Sequence, residues 1–138
     1  MTTNVTIISD SLRLIGVIGE TQTAEAEQGT NALRKLNQLM ETWAAEGVEV
    51  GYFAQTATAD TCPIPAWAER GVTARLAKAL LADYPSAQLS ADMLDDEQNG
   101  VAVIRRVVHY QNREPLDMSH MGLGEGRSQR GDILNGLP

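Results

Sequence analysis

Two histidines, one cysteine and several closely spaced carboxylates are the residues of this 138-residue chain that could do chemistry. His109 and His120 lie eleven residues apart, across an expected helix end, with no Cys or carboxylate at metal-ligand spacing beside them. That pattern does not make a zinc site. Cys62 would need a nearby histidine to act as a nucleophile, and nothing local supplies one, so it reads as a small packing residue in a Pro-flanked turn. The repeat Gly122-x-Gly124-x-Gly126 has the look of a phosphate loop, but no strand leads into it and no helix clearly follows. Asp92, Asp95, Asp96 and Glu97 could hold a divalent cation. They lack the loop glycine and alternating spacing of an EF-hand, and they read better as charge at a helix N-terminus. Glu41 and Glu46 could be cast as paired glycosidase acids, yet any acidic helix offers such pairs. No constellation specifies an enzyme, a metal or a cofactor.

The elements that would carry these residues are helical. Apolar residues make up 43% of the chain and aromatics only 4%, so the core must rest on Leu, Ile, Val, Ala and Met. At this length one domain is expected, and no apolar run approaches the length of a membrane span. The N-terminus lacks the basic flank and apolar stretch of a secretory leader, and a single cysteine suits a reducing compartment, so an intracellular location at synthesis is expected.

The net charge of −7 is spread along the chain. Residues 1–62 hold eight acids and three basic groups, residues 63–110 six and five, and the remainder four and three. Tight DNA binding needs clustered Lys and Arg, and no face is visibly basic apart from the pair Arg105-Arg106. An acidic surface keeps a protein soluble; it would also let DNA pass without sticking.

A first helix from about Asn4 to Ile15 places Val5, Ile8, Leu12 and Ile15 on one stripe and stops at Gly16 and Gly19. A second starts from Thr23 as N-cap, carries Ala26, Leu33, Leu36, Leu39, Met40 and Trp43, and ends at an αL cap on Gly47. About 24 residues would make it roughly 36 Å long. Residues 48–65 read as an extended excursion with a short hairpin, and Pro65 opens a third, Ala-rich helix from Ala66 to Asp83. Ser90 caps a fourth helix with Met93, Leu94, Val101, Ile104 and Val108 on its apolar face, weakened in the middle by Gly100. The expected fold is a mostly α, antiparallel bundle of about four helices, a body of residues 1–110. Residues 111–138 are expected to form an extended C-terminal arm.

The arm has no periodicity and cannot by itself bury enough apolar surface to offset its ordering entropy. Another chain is expected to hold it; the alternative is a solvated tail. Met118, Met121, Leu123, Ile133, Leu134 and Leu137 are the apolar residues it could dock, with Arg127 and Arg130 among them.

The stretch Ala32-Leu33-Arg34-Lys35-Leu36-Asn37-Gln38-Leu39-Met40-Glu41-Thr42-Trp43, followed by Glu46-Gly47 and Gly51-Tyr52, resembles the head-to-tail adaptor family of short-tailed bacteriophages, also called tail accessory or packaged-DNA stabilisation factors. That family pairs a first helix with a Leu-Gly-like ending, here Leu12-Arg13-Leu14-Ile15-Gly16, with a long helix carrying Leu-Asn and Trp and ending near Gly. A later helix has a Leu-Ala…Ala-x-Tyr pattern, here Leu76-Ala77 and Ala82-Asp83-Tyr84. The likeness covers about residues 4–110 and rests most on Leu33, Leu36, Asn37, Met40, Trp43, Gly47 and Tyr84. Pro85 stands where the family often places glycine, and no family motif falls in the arm.

The resemblance implies a non-enzymatic virion protein at the head–tail junction. It would form a ring, usually of twelve copies, under the portal protein. Such a ring extends the DNA channel without sequence-specific binding, helps retain packaged DNA and docks the next tail or nozzle protein. In the family the arm reaches along the portal or to neighbouring adaptors. Two other readings stand beside it. A helical DNA-binding protein of the small-terminase kind would use Arg70, Arg75 and Lys78, and a virion cell-wall hydrolase would use a pair of acids.

Overall fold

The computed structural model describes residues 2–111. Four α-helices follow in order: α1 (Asn4–Leu14), α2 (Ala26–Ala45), α3 (Ala66–Leu80) and α4 (Ala91–Gln111), with a 3-10 turn at Leu81–Asp83 extending α3. This is the mostly α bundle that the periodicity predicts. Gln111, the last described residue, belongs to α4.

α3 is the central element and packs against α1, α2 and α4. Its buried residues are Ala68, Gly71, Val72, Ala74, Leu76, Ala77 and Leu80. Small side chains on several faces let three neighbours approach one helix, which is what the Ala-rich sequence is for. One continuous core joins Ile7, Ile8, Leu12 and Ile15 of the first helix region to Leu33, Leu36, Met40 and Trp43 of α2. Val72, Leu76 and Leu80 of α3 and Ile104 and Val108 of α4 complete it.

The start of α2 differs from expectation. Glu25, not Thr23, is the N-cap: its side chain accepts from the Gln28 backbone while Gln28 Oε1 accepts from the Glu25 amide at 3.0 Å. This reciprocal box satisfies two otherwise unpaired donors, which a lone Thr cannot do. Ala26 is consequently solvent-exposed. The helix end is as expected. Gly47 adopts φ +86, Gly47 N donates to Ala44 O and Val48 N to Trp43 O, closing a Schellman motif; Gly16 closes α1 the same way.

The hairpin expected over residues 48–65 does not form. Among the described residues there is no named strand, and the excursion instead runs back across the start of α1 through a single antiparallel bridge between Thr3 and Thr61. Asn4 N donates to Asp60 O at 2.9 Å, Val5 N to Thr58 O at 2.8 Å, and Cys62 N to Thr2 O at 2.8 Å. Thr3 makes no side-chain cap. The first amides of α1, which have no partner within the helix, are thus capped by carbonyls some 55 residues downstream. This docking also turns α1 slightly. Val5 is only half-buried, while Asn4, Ile7 and Ser11 join Ile8 and Leu12 on the inner face.

Gly100 is more than a weak point. A Cβ there would lie 2.7 Å from Gly71 Cα, and one on Gly71 would meet the Gly100 carbonyl at 2.8 Å. α3 and α4 therefore cross backbone to backbone at this pair. The roughly 1 kcal/mol of helix propensity that glycine costs relative to Ala is exchanged for this close approach of the two helices.

Candidate functional site

The residues of the adaptor-like stretch converge on one structural task. On α2, Leu33, Leu36, Met40 and Trp43 face the core, and Gly47 turns the chain out of the helix. Asn37 lies on the flank of that stripe and reaches the excursion. Its Nδ2 donates to Gln55 O at 2.9 Å, while its Oδ1 accepts from Gln55 N at 2.9 Å and from the Tyr52 hydroxyl. The amide side chain pairs with a backbone as a neighbouring strand would.

Gln55 is itself buried; its Oε1 accepts from Asn4 Nδ2 at 3.1 Å and its Nε2 donates to Phe53 O. Asn4 Nδ2 also donates to Ala57 O at 2.9 Å. Desolvation, aided by the nearby Cys62, pushes the Tyr52 phenol far upward, so it stays a donor at any ordinary pH. This network pins the excursion to both α2 and α1. At its tip Phe53, the only phenylalanine, is 67% exposed. A rigidly mounted, solvated aromatic is the type of side chain that anchors protein interfaces. Periodicity had no means of finding Gln55 or Phe53.

A second feature is an open groove of about 790 Å³ between α2, α3 and α4. Leu39, Trp43 and Val101 form part of its floor, and Glu46, Arg75, Lys78, Glu97 and Arg105 supply its charges. Glu97 was expected on a solvated acidic turn; it is buried and pairs with Arg75 at 3.1 Å and Lys78 at 3.5 Å. Arg105 pairs with Glu46 at 3.6 Å across the groove mouth. Trp43 belongs to the core and is only 4% exposed.

The chemistry-bearing residues do not come together. Asp96 pairs with Arg70, Glu97 turns inward, and Asp92 and Asp95 face solvent, so the four acids do not enclose a cation. Among the described residues no group of three or more His, Cys, Asp or Glu could hold a metal ion. Cys62 is fully buried, and desolvation, with Glu69 adding repulsion, pushes its thiol up to about 11. That is a protonated, inert sulfur. His109 is exposed near the end of α4, and Glu41 is exposed on α2. His120, the Gly122–Gly126 repeat and the arm residues Met118, Met121, Leu123, Arg127, Arg130, Ile133, Leu134 and Leu137 lie outside the described residues. No described helix is long and apolar enough to cross a membrane.

The described residues form a small helical bundle with a pinned excursion and an open groove. Compared with models of known protein families the chain matches none, and no curated protein is significantly similar to it.

Proposed function

We propose that this chain is a structural virion protein, a head-to-tail adaptor that binds under the portal, lengthens the DNA channel and receives the next tail component. The observation that carries the proposal is the Asn37 clamp. The residues responsible for the resemblance are not scattered core positions. Leu33, Leu36, Met40 and Trp43 seat α2, Gly47 ends it, and Asn37 holds the excursion that presents Phe53. A motif that builds a presented loop and no reactive centre suits an assembly part.

The arrangement of cations favours this over a DNA-binding packaging protein. Arg70, Arg75 and Lys78, the basic residues of α3, are each paired with a carboxylate, Asp96 or Glu97. Phosphate binding would have to break those pairs on a chain that already carries −7.

The deciding experiment is native mass spectrometry of the full chain, alone and mixed with the portal ring from the same genome. A fixed multiple near twelve joining the portal is the expected result. Truncation after Gln111 should abolish attachment and leave helicity by circular dichroism nearly intact. A full-length chain that ignores the portal, or a truncated one that still binds it, sinks the assignment. Low-salt filter binding to DNA and zymography on cell wall then test the other two readings.

A further inference from the structure

Asn37 takes both backbone groups of Gln55, which requires that amide and carbonyl point the same way, as they do in extended chain. The neighbouring carbonyls on that side are also satisfied. Phe53 O accepts from Gln55 Nε2, and Ala57 O accepts from Asn4 Nδ2. In an extended chain the intervening residues, Ala54 and Thr56, turn their amides and carbonyls the opposite way. Both residues are exposed, and among the described residues none of these four groups has a hydrogen-bond partner. The excursion is thus a short strand edge, held on one side by side chains and open on the other.

Such an edge pairs readily with other chains, and proteins commonly blunt it with charge, proline or a covering element. Here those devices are missing. Val50–Ala59 is the longest run without a charged residue in a chain that is 21% charged, and it contains no proline. Val50, Tyr52, Phe53, Thr56 and Thr58 are residue types that suit a strand. Phe53 stands exposed beside the open groups. Because Asn37 and Asn4 already fix the backbone, little ordering would be lost on pairing.

We propose that the Phe53–Ala57 edge receives an extended segment of a different protein, which adds to it as a β-strand. Ala54 and Thr56 each offer a donor and an acceptor, a ladder that another extended backbone matches. Nucleic acid does not fit, since the run holds no cation for a phosphate. Glu49 and Asp60 bracket the edge; both are exposed, and neither is in an ion pair among the described residues. The segment is therefore β-branched or aromatic at its centre, with Lys or Arg at its ends. A second copy is a poor occupant. Antiparallel pairing of two such edges would set Glu49 of one beside Asp60 of the other and join two bodies of charge −7. The pairing does not depend on the adaptor reading, which decides only which protein supplies the segment.

The probe is a short synthetic peptide of alternating Thr and Val with a lysine at each end, titrated into the isotope-labelled full chain and followed by amide NMR. The Ala54 and Thr56 amides should move downfield and gain protection from exchange, with a dissociation constant on the order of a millimolar or tighter. The Gln55 amide, already bonded to Asn37, should move little. The same peptide N-methylated at every Thr and Val cannot pair, and should bind about tenfold or more weakly. Ala54→Pro deletes one outward donor and should weaken binding in the same direction. Should that variant misfold, Phe53→Ala at its exposed position keeps the fold and should weaken the peptide roughly severalfold.

Binding that survives N-methylation, binding that leaves Ala54 and Thr56 unmoved, or no binding at low-millimolar peptide would each overturn the proposal. So would shifts of those two amides that grow with protein concentration alone, because the occupant would then be a second copy. Native mass spectrometry with the portal separates the two claims. A chain that takes the peptide but never joins the portal removes the adaptor reading and leaves the edge standing; one that joins the portal but refuses the peptide does the reverse.

Discussion

Asn37 holds Gln55 by both edges of its backbone, donating to its carbonyl and accepting from its amide, each at 2.9 Å. Eighteen residues of chain, including the end of α2 and its turn, are closed into a loop by one side chain. The buried Gln55 and the Tyr52 hydroxyl then depend on that closure.

Replacing Asn37 with Ala should therefore cost about 1–3 kcal/mol, because it leaves the Gln55 amide and carbonyl without their partner. Asn37→Asp keeps the acceptor but turns the donor into a second oxygen facing Gln55 O, and should be no milder. Urea denaturation reads the stability, and limited proteolysis should show new cleavage near residues 50–58. An unchanged midpoint with no new cleavage would mean that the excursion is held by other contacts.

Gly100→Ala separates helix propensity from packing. On an exposed helix it would stabilise by about 1 kcal/mol. Against Gly71, whose Cα would lie 2.7 Å from the new Cβ, it should instead destabilise by roughly 1–3 kcal/mol. A melting temperature that rises would contradict the backbone-to-backbone crossing of α3 and α4.

Glu97→Lys should be among the most damaging single changes in α4. It would bury a third cation beside Arg75 and Lys78 in place of their shared carboxylate. Loss of more than about 3 kcal/mol is expected, whereas Glu97→Gln keeps hydrogen bonding and should cost less. The order of the two thermal midpoints is the check. A Lys variant as stable as the Gln variant would show that the three groups reach water freely.

Cys62 should be silent to an aromatic disulfide reagent in the native protein and react promptly once the chain is unfolded in denaturant. Its thiol has an ordinary value of 9.0 and is pushed to about 11 by burial, so folding favours the protonated form. The linked stability is whole below about pH 9 and is lost as pH rises between the two values, where the unfolded thiol ionises and the folded one does not. Comparing urea midpoints at about pH 8 and pH 10 should show a smaller decline for Cys62→Ala than for the natural chain. Equal declines would assign the pH dependence elsewhere.

Much of the architecture was legible along the chain because helices are local. The stripe of Leu33, Leu36, Met40 and Trp43 needs only 3.6-residue periodicity, and Gly47 needs only its freedom at positive φ. Ser90, whose Oγ accepts from Met93 N, announces α4 by the same short-range logic. The alanines of α3 signalled close packing before any partner was known. What the tertiary structure decided were pairings between residues far apart in sequence.

Asn4 finds Gln55 across 51 residues, Arg75 finds Glu97 across 22, and Gly71 finds Gly100 across 29. The β-branched run after α2 resembled a hairpin because such residues suit any extended chain. It docks on α1 because the helix start had unpaired amides and the run had free carbonyls. Likewise Glu97 could be an N-terminal charge or a buried counter-ion, and only the rotation of α4 against α3 selects the second. Periodicity tells which face a residue occupies, whereas hydrogen bonds and ion pairs depend on what the rest of the chain leaves unsatisfied there.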